Sequence, residues 1–180
     1  MIFKVLDNFI GNKELISSFF NKYILFGDIR YSFTNVGKTE DNQPPHSFTS
    51  SLPADDFSVP LISDVYKKLS LIDDQIFRWH INIHPSLYDG VIHEDYDYIE
   101  ENRKPTYLYC VTPGWIPEWG GEFIVYDNNK EANNVVSFKE DRLIMFDGSL
   151  PHRAVGPTRL SSLLRVTIAF QSNKLIKGMR

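Results

Sequence analysis

Only one cysteine, Cys110, occurs in the 180 residues. A lone thiol excludes an internal disulfide and any Cys-rich metal cluster, and it suits a reducing compartment. The sequence also lacks any apolar run of about 18 residues, so no membrane-spanning helix is expected. Lys4, Asp7, Lys13 and Glu14 interrupt the first apolar positions, which argues against a secretory signal. Basic runs are missing as well. Lys and Arg number 19 against 23 Asp and Glu, a net of −4, which disfavours a nucleic-acid binder held by phosphate contacts. What is plentiful is apolar and aromatic surface: 42% hydrophobic residues, with 13 Phe, 9 Tyr and 3 Trp, are enough to fill a core. These features together predict a soluble cytoplasmic globule without nucleic-acid or membrane partners. Nothing in them sets an oligomeric state.

Leu15, Ile16, Phe19, Phe20 and Ile24 recur at helical spacing behind Asn12, a suitable cap, so residues 12 to about 24 read as an amphipathic helix. A second helix is expected from Pro60 to about Leu71, with Leu61, Ile62, Val65, Tyr66 and Leu69 as its stripe. Between them, Asp41 to Pro60 concentrates Pro, Ser, Asp and Asn, a composition that favours a surface loop, either a lid or an insertion. From Ile76 onward short β-type runs alternate with turn residues: IFRWHINIH, TYLYCV, EFIVYD, VVSF, RLIMF, HRAV and LLRVTIAF. That texture predicts a sandwich or barrel of many short strands. The expected organisation is a single domain over residues 1–180, with helical support over about 1–75 and a β core over about 76–172.

Five histidines are present. In Val91-Ile92-His93-Glu94-Asp95, an extended backbone would project His93 and Asp95 from the same face, where an imidazole and a carboxylate can address one ion, or the pair is a surface His beside solvated acids. Further on, a Gly-rich turn at Trp119-Gly120-Gly121-Glu122 and the strand Arg142–Phe146 lead to Asp147-Gly148-Ser149-Leu150-Pro151-His152, a second imidazole. Beyond it, alternation in Arg165-Val166-Thr167 puts Arg165 and Thr167 on one face. A guanidinium turned into a β core is costly unless an anion meets it, and a dicarboxylate would answer that need.

In these residues, from about Phe77 to Gln171, the chain resembles the iron(II)- and 2-oxoglutarate-dependent dioxygenase superfamily and, within it, the small prolyl 4-hydroxylase-like enzymes. The Pro-Glu-Trp-Gly-Gly-Glu stretch, the Arg-Leu-Ile-Met-Phe-Asp-Gly strand and the Leu-Pro-His-Arg loop look especially similar. The resemblance implies a mainly β double-stranded β-helix, or jelly roll, with N-terminal helices packed against one sheet. It implies Fe(II) held by His93, Asp95 and His152, and 2-oxoglutarate anchored by Arg165 with Thr167 alongside. Two imidazoles and a carboxylate leave adjacent positions open on a divalent ion, the facial arrangement of such oxygenases. A zinc hydrolase would have no use for the inward Arg. The implied activity is hydroxylation of an unactivated C–H bond by dioxygen with release of succinate and carbon dioxide. Ascorbate is allowed as an accessory reductant, and the substrate is a peptidyl proline or a small molecule. Retention of Asp95 argues against the halogenating branch, which lacks the carboxylate ligand.

Several further assignments stay open at this level. Tyr107 and Tyr109 share one strand face and are candidates for donating a hydroxyl to 2-oxoglutarate, or are core aromatics; Cys110 is the position where some relatives carry that Tyr. His80, Asn82 and His84 share a face opposite Trp79, Ile81 and Ile83. They either line the cavity, with Asn82 or His84 touching the cosubstrate, or face solvent. Arg159-Leu160-Ser161 imitates the Arg-x-Ser signature, yet Arg165 sits better on the next inward strand. Trp115 and Trp119 wall a substrate groove or cap the barrel, and Arg153 is a substrate contact or a surface cation. The rival from another class is a non-catalytic jelly-roll module that binds a sugar or small ligand.

Overall fold

Alternation in β4 (Ile76–His84) sends Trp79, Ile81 and Ile83 to one side and His80, Asn82 and His84 to the other, and both sides are covered. The computed structural model describes residues 2–27, 31–34, 47–50, 58–96, 103–127 and 129–176, with the backbone alone for 31–34 and 47–50. Its remaining strands are β1 (Phe3–Leu6), β2 (Tyr31–Thr34), β3 (Ser47–Ser50), β5 (Pro105–Cys110), β6 (Phe123–Tyr126), β7 (Ala132–Val136), β8 (Leu143–Asp147), β9 (His152–Ala154) and β10 (Arg165–Ser172). They form a seven-stranded sheet ordered β1-β8-β5-β10-β4-β3-β2 and a three-stranded sheet ordered β7-β6-β9, with every pairing antiparallel. The fold is mainly β and is the expected jelly roll, with two helices on the outer face of the larger sheet. Among the described residues no helix is long and apolar enough to cross a membrane.

The helices are α1 (Lys13–Phe19) and α2 (Pro60–Ser70). Asn12 caps α1 by accepting the Leu15 amide, and Pro60 opens α2, where its missing N–H costs nothing. The expected single helix over 12–24 changes at Phe20 into a π-helical stretch, Phe20–Leu25, whose wider turn leaves Phe19, Phe20 and Ile24 all buried. These helices lie on Trp79, Ile81, Tyr107, Tyr109, Val166, Ile168 and Phe170. On the opposite face Leu108, Cys110, Ile144, Phe146 and Ala169 meet Phe123, Val125 and Val136 of the small sheet. β5 and β10 are therefore buried along their whole length, as strands covered on both faces must be.

Two expectations change here. Helical support is only part of what the first 75 residues provide, because β1, β2 and β3 join the large sheet. Within the supposed loop from Asp41 to Pro60, Ser47–Ser50 pairs with both β2 and β4; residues 41–46 and 51–57 lie outside the described residues. Four hydroxyl- and phenyl-bearing residues gain strand hydrogen bonds there that no local composition could announce.

A buried carboxylate ties the N-terminal segment to the barrel. Asp141 accepts from the amides of Ile10 and Gly11, both at 2.8 Å, and from the Tyr109 hydroxyl at 2.8 Å. Its own carbonyl takes the Phe9 amide at 2.9 Å. This knot sets where α1 starts. Tyr109→Phe leaves the two amide donors in place and should lower unfolding free energy by about 1–2 kcal/mol. Asp141→Ala strands buried donors and should cost about 3 kcal/mol or more in urea melts.

Candidate active site

The segment carrying His93 runs antiparallel to the start of β9 and meets it at a single bridge: the His93 amide donates to the His152 carbonyl at 3.0 Å, and the His152 amide returns the bond at 2.9 Å. Directly opposed residues point their side chains to the same face, so this bridge alone puts the two imidazoles together, ring centres 4.4 Å apart. Two residues along, the Asp95 amide donates to Gly148 at 2.8 Å, which holds the carboxylate on that face too. Ligand-type atoms of His93, Asp95 and His152 then all lie within 4.8 Å of one another, the one such three-residue cluster among the described residues.

Hydrogen bonding fixes how those atoms are presented. Nδ1 of His93 donates to the Val91 carbonyl at 2.9 Å and Nδ1 of His152 to the Leu150 carbonyl at 2.8 Å. A carbonyl can only accept, so each Nδ1 carries a proton, and in the neutral ring it is Nε2 that offers the lone pair. Those Nε2 atoms stand 3.9 and 3.7 Å from the two oxygens of Asp95. Thr106, on β5, donates its hydroxyl to Asp95 at 2.6 Å. Burial pulls the Asp95 carboxyl upward, but His152, His93 and the Thr106 hydroxyl outweigh it and hold it below its ordinary value. Burial, with His93 beside it, brings His152 down to about 4, so its ring is neutral near pH 7. Two neutral imidazoles and one carboxylate can hold a divalent cation without a buried charge left unpaired.

The cavity beside the cluster lies between the two sheets. His80, Asn82 and His84 of β4 line it, together with Gly90, Val91, Thr106, Leu108, Phe123, Phe146, Ala154, Thr167 and Ala169. Strand register orders its floor: Ala169 opposes His80, Thr167 opposes Asn82, and Arg165 opposes His84. Arg165 is buried at the far end of that row. Its Nε donates to the Gly121 carbonyl at 2.9 Å and its guanidinium stands 5.1 Å from the Phe138 ring centre, yet neither terminal nitrogen has a partner. Burial lowers it to about 10, still cationic at neutral pH. The Thr167 hydroxyl and Nδ1 of His80 and His84 are likewise buried without partners. Orphaned polar atoms on three residues lining this cavity, with the Arg165 nitrogens next along the same strand row, form a set that a polar, anionic ligand would satisfy.

Tyr107 and Tyr109 do not belong to this cavity. Their hydroxyls donate to Asp73 and Asp141, both on the helix-covered side, at 2.7 and 2.8 Å. Alternation along β5 puts Thr106, Leu108 and Cys110 on the inner face instead, which corrects the expectation for both tyrosines. The open choice on β4 resolves the other way, with Asn82 and its neighbours lining the cavity. Ser161 is spent on Leu163, bonding its carbonyl and amide, and Arg159 is exposed, so Arg165 is the inward cation. Trp115 packs against Phe138 and donates to the Gly120 carbonyl, behind the Arg165 end. Arg153 is half-buried on the face away from His152.

Sequence reasoning missed Thr106 and two glycines. A Cβ on Gly148 would come within 2.4 Å of the Thr106 hydroxyl oxygen, and one on Gly121, at φ +80°, within 2.8 Å of Trp115 and 3.3 Å of Arg165. Glycine is required at both places so that Thr106 can reach Asp95 and Arg165 can reach the Gly121 carbonyl. Thr106→Val and Gly148→Ala should each weaken divalent-metal affinity by about 10- to 100-fold, measured by calorimetry with Mn(II), while the protein stays folded.

Comparison with known proteins follows the same lines. The family model of the 2OG-Fe(II) oxygenase superfamily matches residues 78–170. A prolyl hydroxylase of Trichoplax adhaerens, solved in complex with a hypoxia inducible factor oxygen degradation domain peptide fragment, superposes with a TM-score of 0.66 at 18% identity, covering 95% of this chain and 83% of its own. A Pseudomonas putida prolyl-4-hydroxylase gives 0.63 at 12% identity, covering 96% and 92%. The viral collagen prolyl hydroxylase of Paramecium Bursaria Chlorella virus-1, solved as a 2OG complex, gives 0.63 at 13%, covering 98% and 97%. No curated protein sequence matches the chain. At these identities the structures establish a shared fold, while the family match spans more than half of the residues and contains His93, Asp95, His152 and Arg165: the chain belongs to the 2OG-Fe(II) oxygenase superfamily.

Proposed function

We propose that this enzyme hydroxylates an unactivated C–H bond in a prolyl 4-hydroxylase-like reaction, with His93, Asp95 and His152 as the ligands of Fe(II) and Arg165 as the anchor of 2-oxoglutarate. The observation that carries the reading is the pairing of a cluster of two imidazoles and a carboxylate in the cavity with an unpartnered, buried guanidinium two positions before Thr167 on the strand row that lines it. The donor set fits a ferrous ion: neutral nitrogen and anionic oxygen ligands on one side, with the opposite side facing the cavity. The spacing fits a five-carbon dicarboxylate as well. Four strand positions separate Ala169, near the cluster, from Arg165, a span of about 13 Å along β10 that an extended keto acid and an Arg side chain bridge together.

When bound, Fe(II), 2-oxoglutarate and dioxygen supply the oxidising chemistry, with succinate and carbon dioxide released as hydroxyl is delivered to substrate. The residues of the chain do the rest. Arg165 takes the remote carboxylate with charge-assisted hydrogen bonds, so only one orientation of the keto acid presents its reacting end to the cluster. Thr106 keeps Asp95 oriented, and the two backbone carbonyls on Nδ1 keep the imidazoles in the ligating tautomer. Leu108, Phe123, Phe146 and Ala169 form an apolar wall that limits water near the reacting atoms. For the substrate, the peptide bound to the Trichoplax enzyme and the two prolyl hydroxylases of like fold favour a peptidyl proline over a free metabolite. The single domain over 1–180 is taken as the catalytic unit.

Purified protein with ferrous iron, ascorbate and 2-oxoglutarate should form succinate above a metal-free control, and faster with a proline-rich peptide. His93→Ala or His152→Ala should abolish it and lower Mn(II) affinity. Succinate at wild-type rates in both variants contradicts the ligand assignment. Arg165→Ala should weaken 2-oxoglutarate binding by about 3 kcal/mol while sparing the metal, and equal cosubstrate affinity in wild type and variant contradicts the anchor.

A further inference from the structure

We infer that Arg103 is a positioning residue for the metal centre, acting through Asp147 on the turn from which the ligands are hung; this rests on the reading of His93, Asp95 and His152 as those ligands. The turn is Asp147-Gly148-Ser149-Leu150, between β8 and β9, and the Leu150 amide closes it by donating to the Asp147 carbonyl at 3.1 Å. Two of its carbonyls serve the site. Gly148 accepts the Asp95 amide and Leu150 accepts Nδ1 of His152, each at 2.8 Å. His93 is tied to His152 by their mutual backbone bonds. One four-residue turn therefore sets the place of all three ligands, and a shift of the turn shifts them together.

Asp147 holds that turn in shape. Its carboxylate is fully buried and its two oxygens are used differently: Oδ1 accepts the Ser149 amide at 3.1 Å inside the turn, while Oδ2 takes both Nε and Nη2 of Arg103. The planar guanidinium fixes the plane of the carboxylate, which keeps Oδ1 aimed at Ser149. Arg103 is itself braced. Its carbonyl accepts the Ile176 amide at 2.8 Å, and the carbonyl of the next residue, Lys104, accepts the Gly148 amide at 2.9 Å. Alternation along β8 sends Phe146 to the cavity and Asp147 to the other face, so the pair lies outside the cavity and acts only through the turn. Without the guanidinium, a buried carboxylate would keep the Ser149 amide alone, and it would rotate toward water and loosen the turn.

The test is binding of Mn(II) to the full-length protein by titration calorimetry, with the visible absorption spectrum of the Co(II)-loaded protein as a reporter of ligand geometry. Arg103→Leu should weaken Mn(II) by about 10- to 100-fold and change the Co(II) spectrum. Arg103→Lys, which keeps the charge but lacks the fork, should recover part of that loss and stay below wild type. The comparison is Tyr109→Phe, which loosens the Asp141 knot on the helix-covered side; it should unfold at lower urea yet bind Mn(II) as wild type does. Should the Leu variant fail to fold, the Lys variant carries the comparison. A folded Arg103→Leu, or in its absence Arg103→Lys, with wild-type Mn(II) affinity and an unchanged Co(II) spectrum overturns the inference, and so does an equal loss of affinity in Tyr109→Phe. His93→Ala separates the two levels: if it lowers Mn(II) affinity while the Arg103 variants do not, only the positioning role fails. If His93→Ala also binds Mn(II) as wild type does, the ligand assignment fails with it.

Discussion

Two backbone hydrogen bonds between His93 and His152 organise the chemistry of this protein. They join a loop segment before β5 to the first residue of β9, and because the residues are directly opposed, both imidazoles must leave the same face. Everything near them follows from that geometry. Asp95 reaches the cluster because its position is two further along an extended backbone held by Gly148, and Thr106 reaches Asp95 because Gly148 has no side chain. The tautomer of each ring is set by a carbonyl two residues earlier in its own chain segment, so ligand orientation is built locally and needs little long-range support.

The Arg165 end obeys a different constraint. Stacking the two sheets places the inner faces of β4 and β10 out of water, where an unpaired guanidinium is expensive. Arg165 tolerates the site because Gly121 accepts from its Nε and Phe138 lies beneath its plane, while the two terminal nitrogens stay unpartnered. In the proposed role such an arrangement gives up stability for recognition of a carboxylate, and register sets Arg165 four strand positions from Ala169. Under the proposed function, antiparallel register is the ruler that matches the length of the keto acid.

Much of this was legible in the residues. Period-two alternation put His93 with Asp95, and Arg165 with Thr167, on common faces, but it was the family resemblance that joined them with His152 into one site. The helix at Asn12 and the one at Pro60 announced themselves by caps and stripes. What was hidden has a common cause. In strands buried on both faces the contrast between apolar and polar sides vanishes, so alternation says which residues share a face but not which face looks at the cavity. Alternation leaves Tyr107 and Tyr109 open between cosubstrate and core for that reason, and only Asp73 and Asp141, distant in sequence, show them turned to the helices. Thr106 looked like an ordinary β-branched strand residue, and Ser47–Ser50 owes its strand to neighbours rather than to composition.

The most direct test of the account is an anaerobic crystal structure of the protein with Mn(II) and 2-oxoglutarate. A single ion should lie about 2.0–2.2 Å from Nε2 of His93, Nε2 of His152 and one oxygen of Asp95, with the remote carboxylate of the keto acid on the terminal nitrogens of Arg165. An ion bound elsewhere, or a keto acid whose far end avoids Arg165, would contradict the account at its centre.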